Sequence, residues 1–371
     1  NDTIDGGAGI DVAIFSGDKS NYSITKTGYA QYQVVDDQGT DGIDTLSNIE
    51  TLRFADQNFD ITPSGRSIEG DNSNDILEGG SGIDFIYGYG GDDTLKGLEG
   101  DDEIYGGDGD DDIRGNEGDD ILSGESGNDI IYGGSGIDVI RGGEGNDSLY
   151  DFGDSIIYGE GGDDVIQVDT SDYSNQFTDG LIVFGGDGSD NIYGREFKKV
   201  DAGSGDDIVT TSFSNDQNPI LIGGDGYDIL RFQYQAYGNY IDFLNVSGFE
   251  EIDFQDIGYS TAVTFPDQLA PSGTNLVIDA NHYAVSVQLD FSAETDATLS
   301  ITGSDPDYGY YPEDNIKGGE LADIINSLGG IDVIHGNGGD DTINLGAGDD
   351  TVTGGAGNDT IDGGAGIDVA I

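Results

Sequence analysis

Cut every nine residues from Gly79, residues 79–150 read GGSGIDFIY, GYGGDDTLK, GLEGDDEIY, GGDGDDDIR, GNEGDDILS, GESGNDIIY, GGSGIDVIR, GGEGNDSLY. Every unit carries glycine at its first and fourth places, aspartate at the sixth and Ile or Leu at the eighth. Such a fixed period means a stacked repeat architecture rather than an ordinary globular core. The last three places form a short strand whose single apolar residue points inward. Leu77, Ile86, Leu95, Ile104, Ile113, Leu122, Ile131, Ile140 and Leu149 hold that place. The six places before it form a tight turn, where glycine supplies positive φ and close backbone approach.

Two units close one coil of eighteen residues, with strands on both faces and turns along both edges. Successive coils stack as parallel strands about 4.8 Å apart. Aspartates one coil apart therefore sit above one another. Asp75, Asp93, Asp111, Asp129 and Asp147 form one ladder; Asp84, Asp102, Asp120 and Asp138 form the other. Carboxylates at that spacing repel strongly unless a cation lies between them. Carboxylate plus main-chain carbonyl oxygens, about six to a site, suit Ca²⁺ and suit the stricter Mg²⁺ poorly. The chain has no Cys and only two His, which disfavours zinc, copper and iron–sulfur sites.

The 371 residues contain 75 acids and 12 bases, a formal charge of −63. That excess argues against nucleic acid or an anionic membrane as partner. With calcium the acids are locked to a structural period; without it, self-repulsion and a thin core predict disorder of the arrays, so metal binding is expected to be coupled to folding. No apolar run reaches the length of a membrane helix, so no membrane insertion is expected. The chain starts in mid-repeat without an initiator Met or signal peptide, and is expected to be a fragment.

Residues 1–14 read NDTIDGGAGIDVAI, and residues 358–371 read the same. This identity implies a 357-residue period in a longer tandem array, residues 1–14 being the end of a preceding roll with Asp11 as a ligand. Residues 15–69 leave the nine-residue period. NYSITKTGYAQYQVVD predicts two strands turning at Thr27–Gly28, and Ile43, Leu46, Ile49, Leu52 and Phe54 alternate beyond it, as a β-rich cap over an open roll end would. The main roll spans 70–167. Its unit DFGDSIIY at 151–158 is one residue short and has Ser155 at the aspartate place, predicting a weak or missing site; Asp164 restores the pattern. Residues 168–231 continue irregularly, with candidate ligands Asp190, Asp207 and Asp228 and a basic cluster of Arg195, Lys198 and Lys199. Residues 232–314 are β-rich without the period, predicting either further coils lacking calcium turns or a small sandwich. A second roll at 315–371 supplies Asp323, Asp341 and Asp359 on one edge and Asp332, Asp350 and Asp368 on the other.

These units resemble the RTX, or haemolysin-type calcium-binding, repeats of bacterial proteins exported by type I secretion. The resemblance is dense over 70–167 and 318–371 and thin over 185–231, and DTLSNIETLRFAD at 44–56 resembles sequence that follows such arrays. It implies an all-β parallel β-roll that binds several Ca²⁺ between coils, folds after export to a calcium-rich exterior, and uses the sixth-place aspartates as ligands. The family's rolls accompany proteases, lipases, toxins, adhesins and surface layers alike, so it does not fix function. The sequence has no HExxH, no GxSxG and no phosphate loop, and its only histidines are His282 and His335, so no enzyme is expected. Three readings follow: a structural module of a secreted or cell-surface fibre, sheath, surface layer or stalk, partnered by copies of itself; an adhesin recognising surface glycans through 232–314; and the secretion and stability domain of an extracellular enzyme. The 357-residue period favours the first.

Overall fold

The computed structural model describes residues 2–6, 12–28, 31–38, 42–47, 49, 51–60, 66–168, 180–195, 197–212, 219–233, 241–255, 261–266, 269–270, 272–281, 286–304 and 312–371. Among these there is no α-helix; the chain is a parallel β-solenoid with a short 3-10 turn at Lys19–Asn21. Strands alternate between faces as the nine-residue period requires. One face is a single parallel sheet of fifteen strands running from Ile76–Ser81 to Thr360–Asp362. The facing sheet has ten strands, from Ser67–Glu69 to Val246–Ser247, and a seven-stranded sheet accompanies the C-terminal half from Ile241–Asp242 to Val369–Ala370.

Register follows the eighteen-residue coil. Ile86 pairs with Ile104 and Tyr87 with Tyr105, while Leu95 pairs with Ile113 on the other face. Every eighth-place residue from Ile86 to Leu149 is fully buried, giving a thin core to which each strand contributes one aliphatic side chain. Leu77, on the first strand, is only partly buried. The outward ninth places form their own ladders. Tyr87 stacks on Tyr105 at 5.3 Å, Tyr132 on Tyr150 at 4.8 Å, and Arg141 lies 4.4 Å over Tyr158.

Of the two readings of residues 232–314, the strands decide for continued coils. Glu251–Gln255, Asn275–Asp279 and Thr298–Thr302 take successive places in the fifteen-stranded sheet. Here the core thickens. Phe232, Phe243, Phe254, Phe265 and Phe291 are buried, Phe243 lies 4.7 Å from Phe265, and Phe265 stacks on Phe291 at 3.9 Å. Within the basic cluster, Lys199 pairs with Asp201 at 2.9 Å and lies 4.5 Å over Phe184.

The N-terminal segment has a separate core of Ala13, Phe15, Tyr22, Val34, Leu46, Ile49, Leu52 and Phe54. Tyr22–Gly28 pairs antiparallel with Gln31–Asp36, which pairs antiparallel with Ile43–Ser47. The two expected strands pair as a hairpin, but Thr27 and Gly28, expected at the turn, belong to the first strand, and Ile43 is 44% exposed rather than in the core. Thr3–Asp5 and Val12–Ile14 join this segment in parallel, against Ile43–Ser47 and Thr51–Arg53.

The turn explains the permitted variation at place two. Tyr89, Leu98, Asn116, Glu125 and Glu160 all sit there with φ between 75° and 89°. A non-glycine residue in that region costs about 1–2 kcal/mol, which glycine avoids at some entropic cost. Leu98 is half exposed and gives up little packing, so Leu98→Gly is expected to stabilise the calcium-loaded protein by about 0.5 kcal/mol, the balance of those two terms. Denaturant midpoints in saturating calcium measure it, and a destabilised variant contradicts the strain argument.

Candidate metal centres: two aspartate ladders

The sixth-place carboxylates are linked from coil to coil by one repeated hydrogen bond. The Asp84 N–H donates to Asp102 Oδ1 at 2.7 Å, Asp102 N–H to Asp120 at 2.7 Å, and Asp120 N–H to Asp138 at 2.8 Å. Along the other edge the chain of donations runs from Asp75 through Asp93, Asp111, Asp129, Asp147, Asp164, Asp190 and Asp207 to Asp228, at 2.7–3.0 Å. The spacing is 18 residues in regular coils, 17 where a unit is short and 26 across residues 169–179. The ladder therefore continues unbroken across these changes in spacing.

The second oxygen is the informative one. Oδ2 of Asp93, Asp102, Asp111, Asp120, Asp129, Asp138, Asp147, Asp164, Asp190, Asp207, Asp228, Asp332, Asp341 and Asp350 is buried without a hydrogen-bond partner. An orphaned buried carboxylate oxygen is costly, and a whole series of them calls for a missing partner. The place-one glycine shows where that partner fits. A Cβ on Gly88 would run into Asp93 Oδ2 and stand 2.5 Å from the carbonyl oxygen of Gly106, one coil on. In the second array a Cβ on Gly336 would run into both Asp341 Oδ2 and the Gly354 carbonyl. Glycine leaves a hollow there, walled by a carboxylate and a carbonyl. Hard oxygen donors of mixed charge in a glycine-made cradle fit Ca²⁺. Among the described residues no three His, Cys, Asp or Glu side chains converge on one point, so a bound cation would depend on main-chain carbonyls as well.

A Cβ on Gly115 would run into Asp120 Oδ2 and stand 2.6 Å from the Gly133 carbonyl. Gly115→Ala is expected to remove the cation from that cradle and destabilise the calcium-loaded roll by about 1–3 kcal/mol through overpacking. Calcium stoichiometry and thermal unfolding together check this; an unchanged stoichiometry contradicts it.

Without a cation, burial pushes these acids up. Asp102, Asp111, Asp147, Asp164, Asp190 and Asp228 rise to about 7, and Asp120 and Asp129 to about 6. In the second array Asp323 and Asp332 rise to about 7, and burial also raises Asp341 and Asp350. Asp138 reaches about 8, burial first and the neighbouring Asp151 carboxylate adding to the rise. At neutral pH the metal-free roll must either hold protons or open.

The sequence-expected positions differ in detail. Asp11 lies outside the described residues, as does His282. Asp75 Oδ2 already accepts the Asp71 N–H at 2.8 Å. Asp84 faces Arg66, which occupies the aspartate place one coil earlier; its guanidinium donates to the Gly79 carbonyl at 2.5 Å and lies 3.8 Å from Asp84 Oδ1. The ladder thus starts on a built-in cation. Asp323 has both oxygens occupied, by the Leu299 N–H at 2.9 Å and the Gly319 N–H at 2.8 Å, which sets it apart from its neighbours. The Asp341 N–H donates to Asp359 Oδ1 at 3.1 Å and the Asp350 N–H to Asp368 Oδ1 at 3.2 Å. Those two acceptors are half-buried at the end of the stack.

Several participants are not evident from the repeat motif. Glu250 extends the long ladder by accepting the Asp228 N–H at 2.8 Å. Asp314 stands one coil before Asp332, with its Oδ2 taken by the Ser304 N–H at 2.8 Å. Place five carries a second, exposed ladder: Asn128 N–H donates to Asp110 Oδ1 and Asn146 N–H to Asn128 Oδ1, at 2.8 and 2.9 Å. The recurrence of Asp and Asn at that place was its only signal. Ser155 is not simply a gap, since its Oγ accepts the Asp138 N–H at 2.8 Å, as Oδ1 does elsewhere.

The profile of the RTX calcium-binding nonapeptide repeat (4 copies) matches residues 1–13, 69–104, 87–122, 105–140, 123–150, 151–170, 182–196, 317–352 and 345–370. A search of curated proteins finds no match. Repeat, parallel roll and matched profile agree, and the chain belongs to the family of RTX calcium-binding nonapeptide-repeat proteins.

Proposed function

We propose that this chain is a calcium-set structural module of a long secreted or cell-surface bacterial protein: a fibre, sheath, surface layer or stalk. The observation that carries this reading is the pair of ladders of buried, partnerless Asp Oδ2 atoms running along the solenoid. A strut that stiffens only when calcium fills the ladders suits a protein exported unfolded into a calcium-rich medium. The sixth-place aspartates with the facing glycine carbonyls would hold the ions. No catalytic role is assigned to the module, and no helix among the described residues is long and apolar enough to cross a membrane.

The expected partner is another copy of the module. Residues 1–14 and 358–371 are identical, and both contribute parallel strands. Thr360–Asp362 and Val369–Ala370 end their sheets, with Ile361, Ile367, Val369 and Ile371 exposed. In the N-terminal copy the equivalent strands are covered by Ile43–Ser47 and Thr51–Arg53. A following period sharing those fourteen residues would place its own cap strands over the open end in the same register. A recombinant two-period chain tests this by solution scattering in calcium. One rod of doubled length supports the joint; two particles on a flexible tether would falsify it.

A second reading rests on a polar recess between adjacent strands, lined by Thr264, Gln288, Asp290, Asn315 and Lys317. Acids and amides on a shallow sheet surface suit a glycan. Binding of the full chain to a glycan array, lost in Gln288→Ala, favours an adhesin; a blank array removes that reading.

A further inference from the structure

Besides being one residue short, the unit at 151–158 carries two substitutions: Asp151 stands where glycine is the rule, and Ser155 where aspartate is. The two substitutions are complementary. In regular units a Cβ at place one would collide with the unit's own aspartate Oδ2, as at Gly115 and Asp120. Serine at place six frees that space, and Asp151 fills it. The two tasks of the missing aspartate are then divided. Ser155 Oγ caps the Asp138 N–H at 2.8 Å, and Asp151 supplies a carboxylate.

That carboxylate is aimed into the hollow beside Gly133. Asp151 is 1% exposed; its Oδ2 accepts the Gly153 N–H at 2.9 Å, and its Oδ1 is buried with no partner. A Cβ built on Gly133 would run into Asp151 Oδ1 and lie 2.5 Å from Asp138 Oδ2, itself buried and partnerless. One coil earlier, the corresponding hollow beside Gly115 is walled by Asp120 Oδ2 and the Gly133 carbonyl. At the irregular coil a second carboxylate oxygen thus takes the position of the neutral carbonyl. Two buried anionic oxygens converge on one point, and the ion pairs formed by described residues do not include either. Like charges so placed need either a shared proton or a cation between them.

We propose that Asp138 and Asp151 together hold a divalent cation of the calcium class, making the irregular coil a doubly charged site rather than a gap in the array. This inference rests on the reading of the ladders as calcium sites. Crystals of the full chain grown in calcium and exchanged with terbium(III), measured for anomalous scattering, test it. The expected result is a peak between Asp138 and Asp151 beside peaks at regular cradles such as Asp120 with Gly133. Peaks at the regular cradles and none at Asp138–Asp151 would overturn this inference alone. A map without peaks at any cradle would overturn the calcium reading and this inference with it. Asp151→Asn keeps the shape and is expected to abolish that one peak, while Asp151→Gly combined with Ser155→Asp, which returns glycine and aspartate to places one and six of the eight-residue unit, restores it. An undiminished peak in Asp151→Asn shows that Asp151 is not a ligand.

Discussion

Acidifying the calcium-free protein from pH 8 to pH 4 is expected to restore much of the β structure that chelation at pH 8 removes. Burial raises the ladder carboxyls to about 6 at Asp120 and Asp129, about 7 at Asp102, Asp111, Asp147 and Asp164, and about 8 at Asp138. In the unfolded chain an aspartate titrates near its ordinary value of about 3.9. The folded form therefore binds protons more tightly than the unfolded form. Its stability is fully present below pH ~4 and is lost as pH climbs through the folded values toward 8. This is the reverse of ordinary acid denaturation, where depressed carboxyls lose stability on protonation. Far-UV circular dichroism of the metal-free protein across that range measures it. Neutralising the exposed acids acts in the same direction, so a second readout is needed. Calcium added in weak buffer at pH 5, where the metal-free roll is folded and its buried carboxyls hold protons, is expected to release protons, because the ion takes the place of protons on buried oxygens. Metal-free protein that stays unfolded at pH 4, or calcium binding without proton release, contradicts the ladder account.

Chelation at pH 7.5 is expected to divide the chain into two regimes of hydrogen exchange. In the array at 84–147 the core is thin, with one aliphatic side chain from each strand, and the ladder acids lose their counter-charge. Protection there should fall by roughly 10³-fold, equivalent to about 4 kcal/mol of opening free energy. The strands Glu251–Gln255, Asn275–Asp279 and Thr298–Thr302 belong to the same sheet but carry no sixth-place aspartate ladder. Their stability rests on buried Phe254, Phe265 and Phe291 and the aliphatic Leu276, Ile278, Leu299 and Ile301. Aromatic burial of this kind is independent of metal. Their amides should keep most of their protection. Uniform loss along the chain would mean that the central coils cannot stand without the arrays; uniform retention would mean that calcium is not what holds the arrays.

The two regimes also explain how much was legible in the sequence. From Gly79 to Tyr150 turn, strand, core residue and ladder all follow from one nine-residue pattern, since each place has a single physical job. Legibility failed where a job moved to another residue. Asp151 and Ser155 share between them what one aspartate does elsewhere, and a place-by-place comparison sees only a loss. Glu250 reaches the ladder with a longer side chain outside any matching unit. Asp314 is a rung one unit before the recognisable repeats resume. In 232–314 the coils lengthen to as many as 27 residues, as between Val287 and Asp314, so strand alternation survives while the period does not. Alternation alone left open whether those strands joined the coil or a sandwich. The register of Phe232 against Phe254 and Ile252 against Ile278 settles it.

The central claim is that calcium between the aspartate ladders converts an expanded polyanion into a stiff roll. Small-angle scattering of the full chain during a calcium titration at pH 7.5, with circular dichroism on the same samples, tests it directly. The account predicts an expanded, largely unfolded profile in excess chelator over residues outside the central coils, and a cooperative change to a compact rod with added β signal as calcium saturates the sites. A rod of the same dimensions and β content in excess chelator at that pH would contradict it.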